Sequence, residues 1–157
     1  MKKEHYLILH NIRSVINVGA IFRTADAAGI EKIYLTGYTP TPRDRFGNKR
    51  SDFAKAALGA EETIPWEHKK TIGPLLASLK KEGRELIAVE QSKNSIDYKK
   101  VTVKKPTVFI VGNEVRGLSK TILDKIGTVA EIPMKGKKES LNVSVALGIF
   151  LFRVLNI

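Results

Sequence analysis

The sequence contains no cysteine and only three histidines. It can therefore form no disulfide, no thiolate metal site and no cysteine nucleophile. Its three histidines, His5, His10 and His68, form no pair at the helical spacing that metal ligands often use. We therefore expect no structural or catalytic metal.

Long hydrophobic runs are also missing. The most apolar stretch, 141–157, is shorter than a membrane span and is interrupted by Asn142, Ser144, Arg153 and Asn156. The first five residues lack the apolar core of a signal peptide. We therefore expect a cytoplasmic protein without a membrane partner.

Acidic residues are outnumbered: 16 Asp and Glu stand against 27 Lys and Arg, which gives a net charge of +11. Such a charge draws a protein towards polyanions, so the basic surface is either generic or the sign of a nucleic-acid partner. The length of 157 residues fits one hydrophobic core, and no repeat or low-complexity segment divides the chain. We expect residues 1–157 to form one domain.

Short apolar runs alternate with helical periodicity, which is typical of an α/β protein whose mostly parallel sheet is flanked by helices. Strands are predicted at 6–9, 32–35, about 63–66, 85–89, 107–111 and 129–132. Helices are predicted from Val18 to Gly29 with Asn17 as N-cap, at 52–58, from Ile72 to Gly83, from Ser119 to Gly127 and from about Leu141. The aperiodic segment 37–51 is predicted to be a functional loop, and it carries Arg43, Arg45, Lys49 and Arg50.

The segment 17–23 is the first of three segments whose residues could take part in binding or catalysis. Gly19, Arg23 and Asp26 form a stripe beside the apolar face of the predicted helix. Because helical side chains lean towards the N-terminus, Arg23 lies over Gly19, whose small size leaves the guanidinium room to reach a ligand at the helix entrance. The alternative is a surface ion pair between Arg23 and Asp26.

The second segment, 111–119, follows a predicted buried strand and opens a helix, which is where α/β proteins bind cofactors. It nearly matches a P-loop, but Leu118 occupies the place of the lysine, so ATP or GTP binding is not expected. A simple glycine-containing turn is the alternative to a cofactor cleft.

The third segment, 132–146, joins a lysine-rich loop to a helix that Ser140 or a neighbour caps. Beyond Asn142 this helix is apolar on nearly all sides and must be buried on several faces. In so small a chain, we expect part of that burial to come from a second subunit, the alternative being an internal helix of a monomer.

Together the three segments resemble the signature motifs of the SpoU-type RNA ribose 2′-O-methyltransferases, the TrmH-like branch of the SPOUT superfamily. The motifs occur in the family's order, and 140–146, Ser-Leu-Asn-Val-Ser-Val-Ala, is especially characteristic. The resemblance implies methylation of a ribose 2′-hydroxyl in transfer or ribosomal RNA, with S-adenosylmethionine as the methyl donor. It also implies a C-terminal trefoil knot and a homodimer formed through the C-terminal helix. Composition and periodicity suggest no knot.

The resemblance also assigns roles to individual residues. Cofactor contacts carry over to Val89, Gly112, Ile132, Met134, Ser140 and Leu141. The polar positions near the reacting centre carry over to Asn17, Arg23, Glu114, Ser140 and Asn142. The family proposal makes Arg23 the general base, but a guanidinium donates hydrogen bonds and rarely gives up its proton. We therefore expect Arg23 to position the ribose or its phosphate and to stabilise developing alkoxide charge.

Many relatives carry an additional N-terminal RNA-binding domain, and we expect none in this protein. RNA is therefore expected to contact the catalytic domain itself, through Arg43, Arg45, Lys49 and Arg50 first, and through Lys135, Lys137 and Lys138 next. The central expectation is geometric. The turns after Val111 and Ile132 should close into one pocket, with Arg23 at its mouth.

Two rival functions remain at this point. A non-catalytic RNA-binding protein could keep the fold, and methyl incorporation into RNA separates it from an enzyme. An unrelated nucleotide-binding α/β protein would bind ATP or NAD instead of S-adenosylmethionine, and a thermal-shift panel separates those two.

Overall fold

A single parallel sheet of seven strands organises the chain in a computed structural model, which describes residues 4–157. The strand order is β3-β2-β1-β6-β4-β7-β5, and every neighbouring pair is parallel. The strands are β1 (Tyr6–His10), β2 (Lys32–Thr36), β3 (Trp66–Lys69), β4 (Glu85–Val89), β5 (Ile96–Asp97), β6 (Thr107–Val111) and β7 (Thr128–Glu131). The expectation of an α/β fold with a mostly parallel sheet is confirmed.

Helices cover both faces of the sheet. They are α1 (Val15–Ala27), α2 (Ser51–Ala57), α3 (Ala60–Thr63), α4 (Ile72–Lys81), α5 (Lys120–Ile126) and α6 (Val143–Val154), and a 3₁₀ turn covers Tyr98–Lys100. One cluster of buried side chains joins α1, α2 and α6 to one face, and a second joins α4 and α5 to the other. Strand β6 is buried at all five positions because both faces are covered.

Two predicted boundaries are wrong, each for a local reason. The strand expected at 63–66 begins only at Trp66, because the backbone N–H of Ile64 closes a helical turn onto Ala60. Helix α1 begins three residues early, since the Ser14 hydroxyl, not Asn17, caps it. Asn142 caps α6, in agreement with the cap expected at Ser140 or a nearby residue.

Helix α6 combines a buried face and an exposed apolar one. Leu147, Phe150, Leu151 and Val154 are buried, and the Phe150 ring lies 5.9 Å from that of Phe109 in β6. Val145, Ile149 and Phe152, at i, i+4 and i+7, are 50%, 41% and 38% exposed and share one face of the helix. The chain alone therefore leaves part of this helix uncovered. None of the helices in residues 4–157 has the length and apolar character needed to cross a bilayer.

The contact between α1 and α2 corrects the interpretation of Gly19. This glycine is buried, and a Cβ there would lie 2.7 Å from Ala56 Cβ and 2.8 Å from the Phe53 carbonyl oxygen. Gly19 therefore allows two helices to approach closely. It does not open space for Arg23.

Candidate functional site

One cleft of ≈ 620 Å³ lies at the carboxyl ends of β4, β6 and β7. Ligands bind in this place in parallel α/β sheets. Its lining comes from the ends of these strands and from the segments that follow them: Val89, Glu90, Gln91, Val111, Gly112, Asn113, Glu114, Glu131, Ile132, Met134, Ser140, Leu141, Val143 and Ala146. The turns after Val111 and Ile132 thus line the same cleft, as the sequence led us to expect.

The turn after β6, 112–118, is folded tightly against itself. The N–H of Gly117 donates to the Asn113 carbonyl at 2.8 Å, and the Asn113 side chain accepts the N–H groups of Val115 and Arg116. A Cβ on Gly112 would lie 2.7 Å from the carbonyl carbon and oxygen of Gly117. The close approach of the two glycines fixes the shape of this wall of the cleft.

Glu90 ties the same turn to β4. Its carboxylate accepts the N–H of Leu118 at 3.1 Å and that of Gln91 at 2.9 Å. A Cβ on Gly117, whose φ is +63°, would overlap this carboxylate. Sequence reasoning missed Glu90, although its place directly after the β4 strand was a usable signal.

Acidic and apolar side chains dominate the cleft in a strongly basic protein. Glu90, Glu114 and Glu131 belong to the lining, whereas no lysine or arginine of the described residues does. The remaining surface is largely apolar. A ligand with a positive charge and an apolar body would match this environment better than a phosphate-rich nucleotide would.

Glu114 has a structural partner at the rim of the cleft. Its two carboxylate oxygens accept the backbone N–H of Arg13 at 2.8 and 3.2 Å. This pair joins the segment between β1 and α1 to the turn after β6. Glu114 therefore holds the rim together. The resemblance noted in the sequence had suggested only that this residue lies near the reacting centre.

Asn17 and Asn142 meet beside the cleft. The Nδ2 of Asn142 donates to Asn17 Oδ1 at 3.1 Å, and Asn142 Oδ1 also accepts the N–H groups of the first turn of α6. Neither asparagine lines the cleft, but Leu141 and Val143, on either side of Asn142, do. The start of α6 is thereby fastened to the start of α1.

Arg23 lies elsewhere. It is exposed and borders a separate groove of ≈ 700 Å³, together with Ala20, Thr24, Ala27, Ala56 and Phe152. Within the described part of the chain, no ion pair joins Arg23 to Asp26, whose carboxylate instead accepts the Thr63 hydroxyl at 3.3 Å. Arg23 is therefore not among the residues that line the cleft of its own chain, and its expected position at the mouth of the pocket stays a prediction. The alternative ion pair with Asp26 does not form.

The basic loop between β2 and α2, 37–50, is ordered by its own hydrogen bonds. The N–H groups of Asn48 and Phe46 donate to the Asp44 carboxylate and hold its pKa below the usual value. Arg43 donates to the Gly47 carbonyl at 2.8 Å, and the Arg45 guanidinium lies 4.8 Å from the centre of the Phe46 ring.

The four predicted RNA-binding residues of this loop do not form one surface of free cations. Lys49 pairs with Glu62 at 3.0 Å. Arg43, Lys49 and the half-buried Arg50 border a second cavity of ≈ 370 Å³ beside Trp66. Arg45 remains exposed, as do Lys135, Lys137 and Lys138 in the loop before α6.

Comparisons with known proteins give one consistent result. The model of the SpoU rRNA Methylase family matches residues 4–152. The chain is 32% identical over 136 residues to the tRNA (guanosine(18)-2'-O)-methyltransferase of Escherichia coli K12, covering 87% of this chain and 56% of that protein. It is 32% identical over 149 residues to the 23S rRNA (guanosine-2'-O-)-methyltransferase of Pseudomonas aeruginosa, covering 95% and 57%. The chain thus spans little more than half the length of these curated relatives.

Two solved structures are similar to this chain over nearly its whole length. The A. aeolicus TrmH/SpoU tRNA modifying enzyme superimposes with a TM-score of 0.85 at 30% identity, over 99% of this chain and 75% of that one. An AdoMet-bound rRNA methyltransferase from Sinorhizobium meliloti gives 0.86 at 31% identity, over 99% and 57%.

Proposed function

The chain belongs to the SpoU rRNA methylase family, and from that membership we propose that it transfers a methyl group from S-adenosylmethionine to a ribose 2′-hydroxyl of RNA. The resemblance seen in the sequence is thereby confirmed. The observation that carries the activity is the cleft. All six residues expected to contact the cofactor, Val89, Gly112, Ile132, Met134, Ser140 and Leu141, line it.

The residues of the cleft fit this cofactor. S-adenosylmethionine supplies a methyl group on a positively charged sulfonium, attached to an adenosine. Glu90, Glu114 and Glu131 place negative charge around the cleft, and the apolar side chains offer a surface for the adenosine.

The chain's contribution to catalysis is positioning and charge stabilisation. Gly112 and its turn, braced by Glu90, form a rigid wall that holds the donor in line with the attacking oxygen. Ser140, at the cleft, and Asn142, which is fastened to Asn17, offer polar groups to the ribose. Arg23 orients the ribose or its phosphate and stabilises the developing alkoxide.

Arg23 can fulfil that role in a homodimer. The exposed face of α6, Val145, Ile149 and Phe152, is a surface that a second copy would cover, and the groove of Arg23 includes Phe152. We infer that Arg23 faces the cleft of the partner subunit across this interface. The separation of Arg23 from its own cleft supports this arrangement.

We also propose that residues 1–157 form one methyltransferase domain with a C-terminal trefoil knot. The path of the chain supports the knot. After β7 it runs past the segment behind β4, where the Gln91 side chain donates to the Glu139 carbonyl at 2.8 Å, and then reaches α1 on the far side of β6. The single sheet that contains all described strands supports the domain.

The RNA partner is proposed to be transfer or ribosomal RNA, on which the relatives act according to their names. A cytoplasmic location belongs to the same proposal, because both RNAs occur there. The loop 37–50 begins beside the cleft, where Tyr38 contacts Asn113, and its exposed Arg45 offers a phosphate contact. Changing Arg43 and Arg45 together to Ala should weaken RNA binding and flatten its dependence on salt. An unchanged salt slope would place the RNA surface elsewhere.

The decisive test of activity is incorporation of labelled methyl groups from S-adenosylmethionine into bulk transfer and ribosomal RNA, followed by mapping of 2′-O-methyl sites. Wild type should modify one RNA class, and Arg23→Ala should abolish the reaction while the variant still folds and binds S-adenosylmethionine. Binding of RNA without any turnover would instead identify a non-catalytic protein.

A separate experiment tests whether Arg23 acts at the cleft of the partner subunit. Arg23→Ala and Gly112→Val are each expected to be inactive, because one lacks the arginine and the other displaces the turn that lines the cleft. If they are unfolded and refolded together, about half of the dimers are mixed and each mixed dimer has one intact site, so about a quarter of wild-type activity should return. No recovery in verified mixed dimers would show that Arg23 serves its own subunit's cleft.

A further inference from the structure

Tyr38 is an exposed aromatic residue at the rim of the cofactor cleft. Its side chain is 61% exposed, although it lies only two residues beyond the buried strand β2. Its hydroxyl accepts a hydrogen bond from Asn113 Nδ2 at 2.9 Å, and Asn113 lines the cleft. The ring therefore stands one side chain away from the proposed methyl donor.

The backbone around Tyr38 is held by an unusual arrangement. Asn11 adopts a left-handed conformation, with φ +54°, and its side-chain oxygen accepts the N–H of Tyr38 at 3.1 Å. Asn113 Nδ2 also donates to the Asn11 carbonyl at 3.0 Å. Gly37, with φ +63°, must be glycine because a Cβ would overlap Asn11 Oδ1. Such conformations persist only where the surroundings impose them, and they cluster at functional sites.

This arrangement contributes little to the core. Tyr38 buries no large surface, and the segments that meet here could be joined by the amide of Asn113 alone, through Asn11. What the arrangement does accomplish is to fix an aromatic ring in solvent, with its hydroxyl edge tethered. A rigid exposed ring beside a basic loop is the combination on which proteins stack unpaired RNA bases.

We propose that Tyr38 is a stacking platform for the base of an unpaired nucleotide whose ribose enters the cleft. The inference rests on the proposed function, since it assumes that RNA is the substrate. A reaction at the 2′-hydroxyl needs the ribose held in line with the donor, and a stacked base fixes the rotation of that nucleotide. Every base has an aromatic face, so Tyr38 selects unpaired over paired nucleotides and not one base over another.

The charge around Tyr38 also fits an unpaired RNA strand. The loop that follows Tyr38 carries the exposed Arg43 and Arg45, which would draw the phosphates of a strand past the ring. The only acidic side chain of the loop, Asp44, already accepts two backbone N–H groups of the loop itself. Phosphate contacts and base stacking therefore lie on one continuous stretch, 38–45.

Tyr38→Phe and Tyr38→Leu form a matched pair for the test. Phenylalanine keeps the ring and loses the hydroxyl, whereas leucine loses both. The probe is a short fluorescein-labelled single-stranded RNA of mixed sequence, compared with the same RNA annealed to its complement, and binding is followed by anisotropy over a series of salt concentrations. Thermal unfolding and S-adenosylmethionine titration check that each variant is intact.

We expect Tyr38→Leu to bind the single strand about tenfold more weakly, as for the loss of one stacked base, while Tyr38→Phe stays close to wild type. The slope against salt should be the same in all three proteins, because no phosphate contact is removed. Binding of the duplex should not change. The KM for RNA should rise in Tyr38→Leu alone.

Equal single-strand affinity of Tyr38→Leu and wild type would overturn the proposal, and so would equal losses for single strand and duplex. A loss of S-adenosylmethionine affinity in Tyr38→Phe that matches its loss of RNA affinity would also overturn it, because the hydroxyl would then merely support the cleft. The binding assay needs no turnover. Absence of methylation in wild type therefore refutes the proposed function, while the anisotropy series still decides on Tyr38.

Discussion

Replacing Gly112 with alanine tests whether the turn after β6 forms a rigid wall of the cleft. The new Cβ would lie 2.7 Å from the Gly117 carbonyl carbon and oxygen and from Leu118 Cδ2. Ordinary contact begins at 3.4 Å, so the turn must retreat by about 0.7 Å, and two of the three atoms belong to backbone that cannot rotate away. Overpacking of this kind costs about 1–3 kcal/mol of the free energy of unfolding.

For a chain of this size each kcal/mol lowers the melting temperature by about 2–4 °C, so a decrease of about 2–12 °C is expected. Because Gly112, Asn113 and Glu114 all line the cleft, the displaced turn should also weaken S-adenosylmethionine binding at least about tenfold, or about 1.4 kcal/mol. Differential scanning calorimetry and isothermal titration measure the two effects.

Gly136→Ala is the matched control. This glycine lies in the loop before α6, and a Cβ there would meet no atom within 4 Å. Its unfolding free energy and cofactor affinity should stay within about 0.5 kcal/mol of wild type, as for other surface substitutions. If Gly112→Ala and Gly136→Ala melt at the same temperature and bind alike, the cleft does not depend on the close approach of the two glycines.

Three further perturbations test the structure. Gly19→Ala should lower the free energy of unfolding by about 1–3 kcal/mol despite alanine's better helix propensity, since its Cβ would lie 2.7 Å from that of Ala56; a net gain in urea denaturation would refute the close helix contact. Glu114→Ala should cost about 1 kcal/mol by freeing the Arg13 N–H, with Glu114→Gln intermediate in the same assay; equal stability of all three proteins would show that the pair contributes nothing. Burial lowers the pKa of His10 below its unfolded value of about 6.5. Below that pH the unfolded chain binds more protons than the folded one, so the free energy of unfolding decreases as the pH is lowered. His10→Gln should reduce that fall between about pH 7 and 5.5, and an identical pH dependence would contradict the assignment.

Local chemistry explains most of what could be predicted about individual elements. The bounds of β4 and β6 match the prediction, because each is an uninterrupted apolar run between polar or glycine-containing turns. Ser119 caps α5 and Gly127 ends it as expected, since a hydroxyl and a left-handed glycine act on the nearest backbone groups. Strand β5, only two residues long, has no periodicity by which it could be recognised.

Two other features depend on a partner distant in sequence. Asn17 looked like an N-cap, but Ser14 takes that role and leaves the Asn17 side chain free to accept from Asn142, 125 residues later. Gly19 looked like room for Arg23 because only the side chains of its own helix were considered, whereas α2 occupies that space.

The sequence by itself determined the parallel α/β class, the family and part of the cleft lining, because motif order and apolar periodicity are properties of neighbouring residues. Only the tertiary structure brought Glu90 and Glu131 to the cleft, placed Arg23 outside it and fixed Tyr38 at its rim. The physical reason is that these positions depend on which strand ends lie side by side and which helices touch. Packing between distant segments sets that arrangement, and no local pattern encodes it.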